Sequence, residues 1–550
     1  MYTLGCKVSL YESEAIGESF AAAGYEVCAF DEVCDVYVIN TCTVTAESDA
    51  KSRKYIRRAI RKNPEAVVIV IGCYSQRAPG EVAAIEGVSA VLGTADKMKC
   101  VEIAQRLLNA ECEQIKTVDN CFYRSAAARG CKKSVDNGFP PERDRAAARR
   151  ECAETRSKGS RVYRGEQYDY VSRGRMQNAE LAFPVGEAKR PEGIEWQSGG
   201  LADPEGDRAA ARGGSRRLTD EVSIADSSHT YEKNESAEVY TDTLEGAEFE
   251  PMCVKNAPRT RAYVKIEDGC ECKCSYCAIS AARGPVRSKR PEDVIAEVEG
   301  LYKNGTLEIV LTGIETGSYG ADFDEKYDLA DLICELDRRH SCGRIRLGSM
   351  APELLTPKFT DRVSATEIMV PHFHISMQSG ADNVLRGMRR RYNRAMALKN
   401  IAHIRERMPD VMLTADLMVG FPGESEEDFL DTLRFVREAE LLDAHVFAYS
   451  KREGTPAATM NGQVDERVKK ERSARLMAEC RAMRDEILDR VCESGRPLAC
   501  ILETEKRGVY TAHSDSYIEV SVEGERGLSG SLVLVNPVSH KDGVIFGKII

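Results

Sequence analysis

The sequence predicts an α/β protein in three parts. They are an N-terminal doubly wound α/β domain, a central βα barrel (partial or full), and a small all-β barrel at the C-terminus, with a long insertion before the central part. Three observations carry this prediction. Short β-rich runs alternate with amphipathic helical stretches over 1–117 and again over 258–490, the order that builds parallel sheets. Short strands separated by Gly-bearing turns fill 493–550. Between 118 and 257 the chain is charged and rich in Gly and Ser, and an Ala-Ala-Ala-Arg unit recurs at 126–129, 146–149 and 209–212. Such composition buries too little apolar surface to offset chain entropy, so a disordered, low-complexity insertion is expected.

The N-terminal part opens almost at once on the Gly5-Cys6 turn, so its first strand is short, as though truncated at the start codon. Val36–Ile39 and Val67–Ile71 read as buried parallel strands. Between them a helix over 49–62 carries Lys51, Arg53, Lys54, Arg57, Arg58, Arg61 and Lys62. In the central part, Glu308–Leu311, Arg344–Leu347, His372–Ile375, Met412–Val419 and Ala444–Ala448 read as strands, each followed by a helical pattern. About six βα units place an active site at the carboxyl ends of the strands. His372 and His374 are expected to alternate across their strand, so that only one faces that pocket. Tyr517–Val522 and Ser531–Val535 are strands of the C-terminal barrel.

Twenty cysteines in 550 residues, with no apolar segment at the N-terminus, point to a reducing cytoplasm where grouped thiols act as metal ligands. The most apolar run, Val67–Ile71, is far too short to span a bilayer, so no membrane role is expected. A net charge of −11 does not advertise a nucleic-acid binder. Basic residues nevertheless cluster on the 51–62 helix, at Arg283/Arg287/Lys289/Arg290, and at Arg386/Arg389/Arg390/Arg391/Arg394. Each cluster is either a solvated face or a phosphate-steering surface.

Cys270, Cys274 and Cys277 form a CxxxCxxC triad. Iron–sulfur clusters are ordinarily held by four cysteines, so three thiolates suggest a four-iron cluster with one iron left open for a substrate. A zinc knuckle fits less well, because zinc prefers four closing ligands and C-x2-C pairs. Cys272 lies off the spacing and is read as a bystander. Cys6, Cys42 and Cys73 each sit where a strand of the first domain should end. Loops at the carboxyl edge of a parallel sheet converge, so these three could hold a second cluster. Spacing alone leaves equally open that each is a small buried hydrophobe.

The triad, with Tyr276 before its last cysteine, resembles the radical S-adenosylmethionine (SAM) superfamily. There SAM chelates the open iron and is cleaved to a 5′-deoxyadenosyl radical. Thr3-Leu-Gly-Cys-Lys-Val-Ser9, Asn40-Thr-Cys-Thr-Val-Thr45 and Ile71-Gly-Cys-Tyr-Ser-Gln76 resemble the N-terminal domain of the methylthiotransferases. The branch most resembled acts on N6-threonylcarbamoyladenosine in tRNA, although Ser9 stands where that branch usually has Asn. Ala282–Arg287, Leu311-Thr-Gly-Ile-Glu315, Pro371–Gly380, Val419–Glu424 and Tyr449–Pro456 follow in the family's order, and residues 493–550 resemble a TRAM domain, an RNA-binding module. The likeness covers 1–117 and 259–550.

The resemblance implies two [4Fe-4S] clusters, one on Cys6, Cys42 and Cys73 and one on Cys270, Cys274 and Cys277. It implies SAM held by Thr312, Gly313 and Glu315 at its methionyl end and by Ser349 or Gln378 at its ribose. The implied reaction adds a methylthio group to C2 of N6-threonylcarbamoyladenosine at position 37 of tRNA. The implied partners are the tRNA anticodon loop and an electron donor such as flavodoxin or ferredoxin. Alternatives are a methylthiotransferase for isopentenyladenosine tRNA or a ribosomal protein, and a non-catalytic metal-binding RNA module.

Overall fold

Val36–Thr41 and Val67–Gly72 are buried over their whole length, as strands covered on both faces must be. A computed structural model of the chain describes residues 1–110, 161–164, 237–241, 244–257, 260–341 and 343–550. In it these two strands lie at the centre of a seven-stranded parallel sheet. Alternate residues enter opposite layers. Tyr37, Ile39, Val68 and Val70 pack with Ile56 and Ala59 of the helix Ala46–Lys62. Val36, Val38, Val67 and Ile69 pack with Ile16 and Phe20 of the helix Lys7–Ala22. One helix on each face is the doubly wound arrangement. The Thr45 side chain starts Ala46–Lys62 by accepting from the Ser48 N–H at 3.1 Å.

Glu238–Tyr240 extends the same sheet beside Ala90–Leu92, and Arg161–Arg164 runs parallel to Glu26–Ala29. Residues 237–241 and 244–257, read from the sequence as the end of the insertion, instead join the folded chain, with Leu244, Met252 and Val254 buried. Three apolar anchors spread over eleven residues were too sparse a pattern to stand out. The rest of the expected insertion, including Cys121, Cys131, Cys152 and Trp196, lies outside the described residues apart from 161–164.

Six central strands follow in chain order, all parallel: Arg261–Lys265, Glu308–Thr312, the segment 344–350, His372–Gln378, Met412–Val419 and Asp443–Ala448. The third is broken at Gly348, with Arg344–Leu347 in one ladder and Ser349–Met350 in the next. Among the described residues no pairing returns the last strand to the first, so the barrel is partial. His372 and His374 both hydrogen-bond Thr414 Oγ1, at 3.0 and 2.8 Å. The expected alternation fails because side chains two residues apart share a face of a strand.

The C-terminal strands, from Leu498–Lys506 to Val544–Ile549, close into a five-stranded barrel. It caps the N-terminal ends of the central strands. Arg261 donates to Glu503 at 2.7 Å, Arg344 to the Ala499 carbonyl at 3.1 Å, and the His372 ring stacks on Tyr517 at 4.7 Å. The opposite, carboxyl ends remain for chemistry. Among the described residues no helix is long and apolar enough to cross a membrane.

Candidate active site

Cys6 precedes the helix Lys7–Ala22, Cys42 follows the strand Val36–Thr41, and Cys73 opens a helical turn after Val67–Gly72. The structure brings the three thiols together. Burial pushes Cys42 up to about 12, and Cys73 and Cys6 push the same way because a thiolate there would face theirs. Burial also raises Cys73, opposed by Arg283 and reinforced by Cys6. The loops that carry them leave no room for larger residues. Gly72 sits at φ +100°, where an added Cβ would fall 2.6 Å from the Thr41 carbonyl oxygen.

The central barrel reaches this group through Arg283, which is fully buried. Its Nε donates to Cys73 Sγ at 3.1 Å, and its Nη1 donates to Glu12 at 2.6 Å and to Asp268 at 3.2 Å. Lys97 and Lys265 each lie 3.0 Å from the same Glu12 carboxylate. Burial alone would raise Glu12, but these three cations hold it well below the usual carboxylate range. Arg287 pairs with Asp268, and Lys289 with Glu297. Of the four residues of the expected basic cluster, Arg290 is exposed, while Arg283, Arg287 and Lys289 are therefore parts of an internal ion network and not an RNA-facing surface. Its carboxylate partners lie on Lys7–Ala22 and elsewhere, which local spacing could not reveal.

The second thiol set lies on the loop just before the helix Ile279–Arg283. Cys274 Sγ accepts from Arg390 Nη1 at 3.2 Å, and Cys277 Sγ from the Ile279 N–H at 3.3 Å. Cys272 lies close enough to Cys270 to raise its thiol, although both cysteines are free. Gly269 shapes the loop, for at φ +98° an added Cβ would meet the Pro285 carbonyl oxygen at 1.8 Å. Gly269→Ala is expected to lower the iron retained by the reconstituted protein, read by iron analysis after desalting, because the backbone on both sides must part.

Glu315 faces the triad, close enough to act on Cys270 and Cys274. It accepts from the Ala351 N–H at 3.1 Å, and burial pushes its carboxyl up to about 8. A second acid, Glu267, accepts from the Glu315 N–H at 2.9 Å, and its Oε1 is buried without a partner. An added Cβ on Gly313 would come within 2.4 Å of Glu267 Oε2. Sequence reading missed Glu267, although an acid three residues before the triad was the available signal. Thr312 and Gln378 end their strands, and Ser349 follows the break in the third. Gln378 takes φ +67°, where its strand shifts register against Met412–Val419.

Glu315 gives a pH test. Its folded value stands above the usual 4.5, so the folded chain holds a proton that the unfolded chain releases. Stability contributed below about 4.5 is then lost as pH rises toward about 8. In the cluster-free protein, Glu315→Gln should flatten that stretch of the pH–stability curve, measured by urea denaturation.

Both thiol sets suit iron–sulfur clusters. Each gathers three soft donors in a largely buried loop, and each has one sulfur accepting from an arginine, the kind of outer contact that tunes such centres. Glu315 and the orphaned Glu267 oxygen suit the amine of SAM. A triad loop at the mouth of a partial parallel barrel defines a radical SAM enzyme, and residues 264–436 match the Radical SAM superfamily.

Residues 1–93 match Uncharacterized protein family UPF0004. The chain is 33% identical over 543 residues to threonylcarbamoyladenosine tRNA methylthiotransferase MtaB of Bacillus subtilis (strain 168), covering 97% of this chain and 92% of that protein. It is 28% identical over 533 residues to the protein of the same name from Aquifex aeolicus (strain VF5), covering 97% and 98%. The chain therefore belongs to the radical SAM methylthiotransferase family, in the MtaB branch. It is an enzyme of that class, with SAM and [4Fe-4S] clusters as cofactors. Among solved structures it is similar to the radical SAM methyltransferase TsrM from Kitasatospora setae, at 14% identity and a TM-score of 0.46 over 94% of this chain and 81% of that one. That likeness is too loose to bear on function.

Proposed function

We propose that the protein adds a methylthio group to C2 of N6-threonylcarbamoyladenosine at position 37 of tRNA, in the cytoplasm. Cys270, Cys274 and Cys277 would hold one [4Fe-4S] cluster, and Cys6, Cys42 and Cys73 a second. When bound, the first supplies the electron that cleaves SAM to a carbon radical, and the second supplies the sulfur to be transferred. The single observation carrying this reading is Arg283, which sits six residues after the triad and donates to Cys73. It ties the helix that follows the triad to the other thiol set, which supports a single site, as transfer between the two would require.

The protein's own residues do the rest. Glu315 and Glu267 would accept from the SAM amine, Thr312 and Gly313 would hold its methionyl end with them, and Ser349 and Gln378 would serve the ribose. Arg283 and Arg390 each orient one sulfur of a set by donating to it. Reducing power would come from a protein donor such as flavodoxin or ferredoxin.

tRNA contact would fall on residues left in solvent. Lys54, Arg57 and Arg61 line one exposed face of the helix Ala46–Lys62, and Arg386, Arg389 and Arg391 are exposed near the triad loop. The closed C-terminal barrel, read as a TRAM domain, would add a grip on the stem. Replacing Lys54, Arg57 and Arg61 by alanine is expected to weaken tRNA binding and reduce the slope of log K against log salt by about 2–3, near one for each phosphate no longer neutralised. Filter binding across a salt series reads this. Mass spectrometry of tRNA nucleosides from a deletion strain tests the reaction. Loss of the 2-methylthio form of threonylcarbamoyladenosine supports it, and loss of the isopentenyl form alone overturns it.

A further inference from the structure

The barrel lumen holds another group of metal-binding side chains, sharing no residue with either cysteine set. His374, Asp416 and His445 stand on three adjacent parallel strands, and one ligand atom from each lies within 4.8 Å of the others. Asp416 is 3.2 Å from His374 Nε2 through one oxygen and 3.2 Å from His445 Nδ1 through the other. Two donors bound tetrahedrally to one zinc at about 2.0–2.1 Å stand about 3.3–3.4 Å apart, so the spacing already suits an ion.

A second feature points the same way. His374 Nδ1 is engaged by Thr414 Oγ1 at 2.8 Å, which orients the ring and leaves Nε2 toward Asp416. Metal-ligating histidines almost always have their other nitrogen held in this manner. Thr414 also bonds His372, whose ring stacks on Tyr517, so the orienting hydroxyl is itself anchored. The group is reachable, with the Asp416 side chain 23% and that of His445 36% exposed.

We propose that His374, Asp416 and His445 bind one divalent transition-metal ion of the zinc type through two imidazoles and a carboxylate. Three protein ligands leave a coordination position for water or a substrate oxygen, the pattern of zinc sites that are not purely structural. Two histidines and one carboxylate would equally accept ferrous iron, so zinc serves as the probe because it is distinct from the cluster metal.

The test uses the protein with its iron–sulfur clusters reconstituted, so that cluster cysteines are not free to take the probe. It is exposed anaerobically to zinc chloride, desalted, and analysed for zinc and iron. The expected result is one zinc per chain in the unaltered protein and background zinc in Asp416→Asn and in His445→Gln, with iron unchanged. Zinc retained by both variants, or none retained by the unaltered protein, overturns the proposal. X-ray absorption at the zinc edge of the unaltered protein decides without any variant. A shell of nitrogen and oxygen supports the site, and sulfur in the shell refutes it.

Discussion

Alanine at Cys6, Cys42 and Cys73 together is expected to leave reductive SAM cleavage measurable and to reduce methylthiolated tRNA to assay background. Alanine at Cys270, Cys274 and Cys277 should eliminate both. The asymmetry follows from position. Glu315 and the unpartnered oxygen of Glu267 stand beside the 270–277 loop, so the groups proposed to hold SAM remain when the other three thiols are lost. Quantifying 5′-deoxyadenosine and modified nucleoside in the same anaerobic reaction separates the two outcomes. Methylthiolated product from the Cys6/Cys42/Cys73 variant would end the assignment of those thiols.

The second large effect is expected at Arg283. Its guanidinium is buried against Glu12, Asp268 and Cys73, and Arg283→Met leaves two carboxylates short of a partner. Breaking a buried pair by removing one member costs about 3–5 kcal/mol, because the remaining charge stays desolvated. Urea denaturation followed by circular dichroism should register that loss. Glu12→Gln in the same chain should recover part of it, since the two residues interact directly. An Arg283→Met protein as stable as its parent would mean that the network is slack and does not join the N-terminal domain to the barrel.

Much of the architecture was legible because periodicity reports burial. The apolar runs Val36–Ile39 and Val67–Ile71 read as covered strands, so the cysteines after them could converge at one sheet edge, although spacing alone left them equally readable as buried hydrophobes. The triad was legible from spacing alone. What escaped reading was long-range pairing of charge. Arg283 and Lys289 look like solvent-facing cations in a basic stretch, yet Arg283 bonds Glu12, 271 positions away. Arg390 was hidden similarly within an arginine-rich run, although it alone of that run donates to a triad sulfur. Glu267 was legible in principle, for a carboxylate next to ligand cysteines needs a reason. The lumen group of His374, Asp416 and His445 emerges only once three strands are in register.

The five-stranded barrel sits under the starts of the central strands, while the thiol loops open at their far ends. Eight residues of Met412–Val419 alone span about 26 Å at the rise of an extended chain. A tRNA held by the C-terminal barrel, as proposed above, would have to run along the flank of the molecule to offer a base at the thiol loops. On the proposal that the barrel grips the stem, the distance between the two ends of the strands would act as a ruler for the reach from stem to loop.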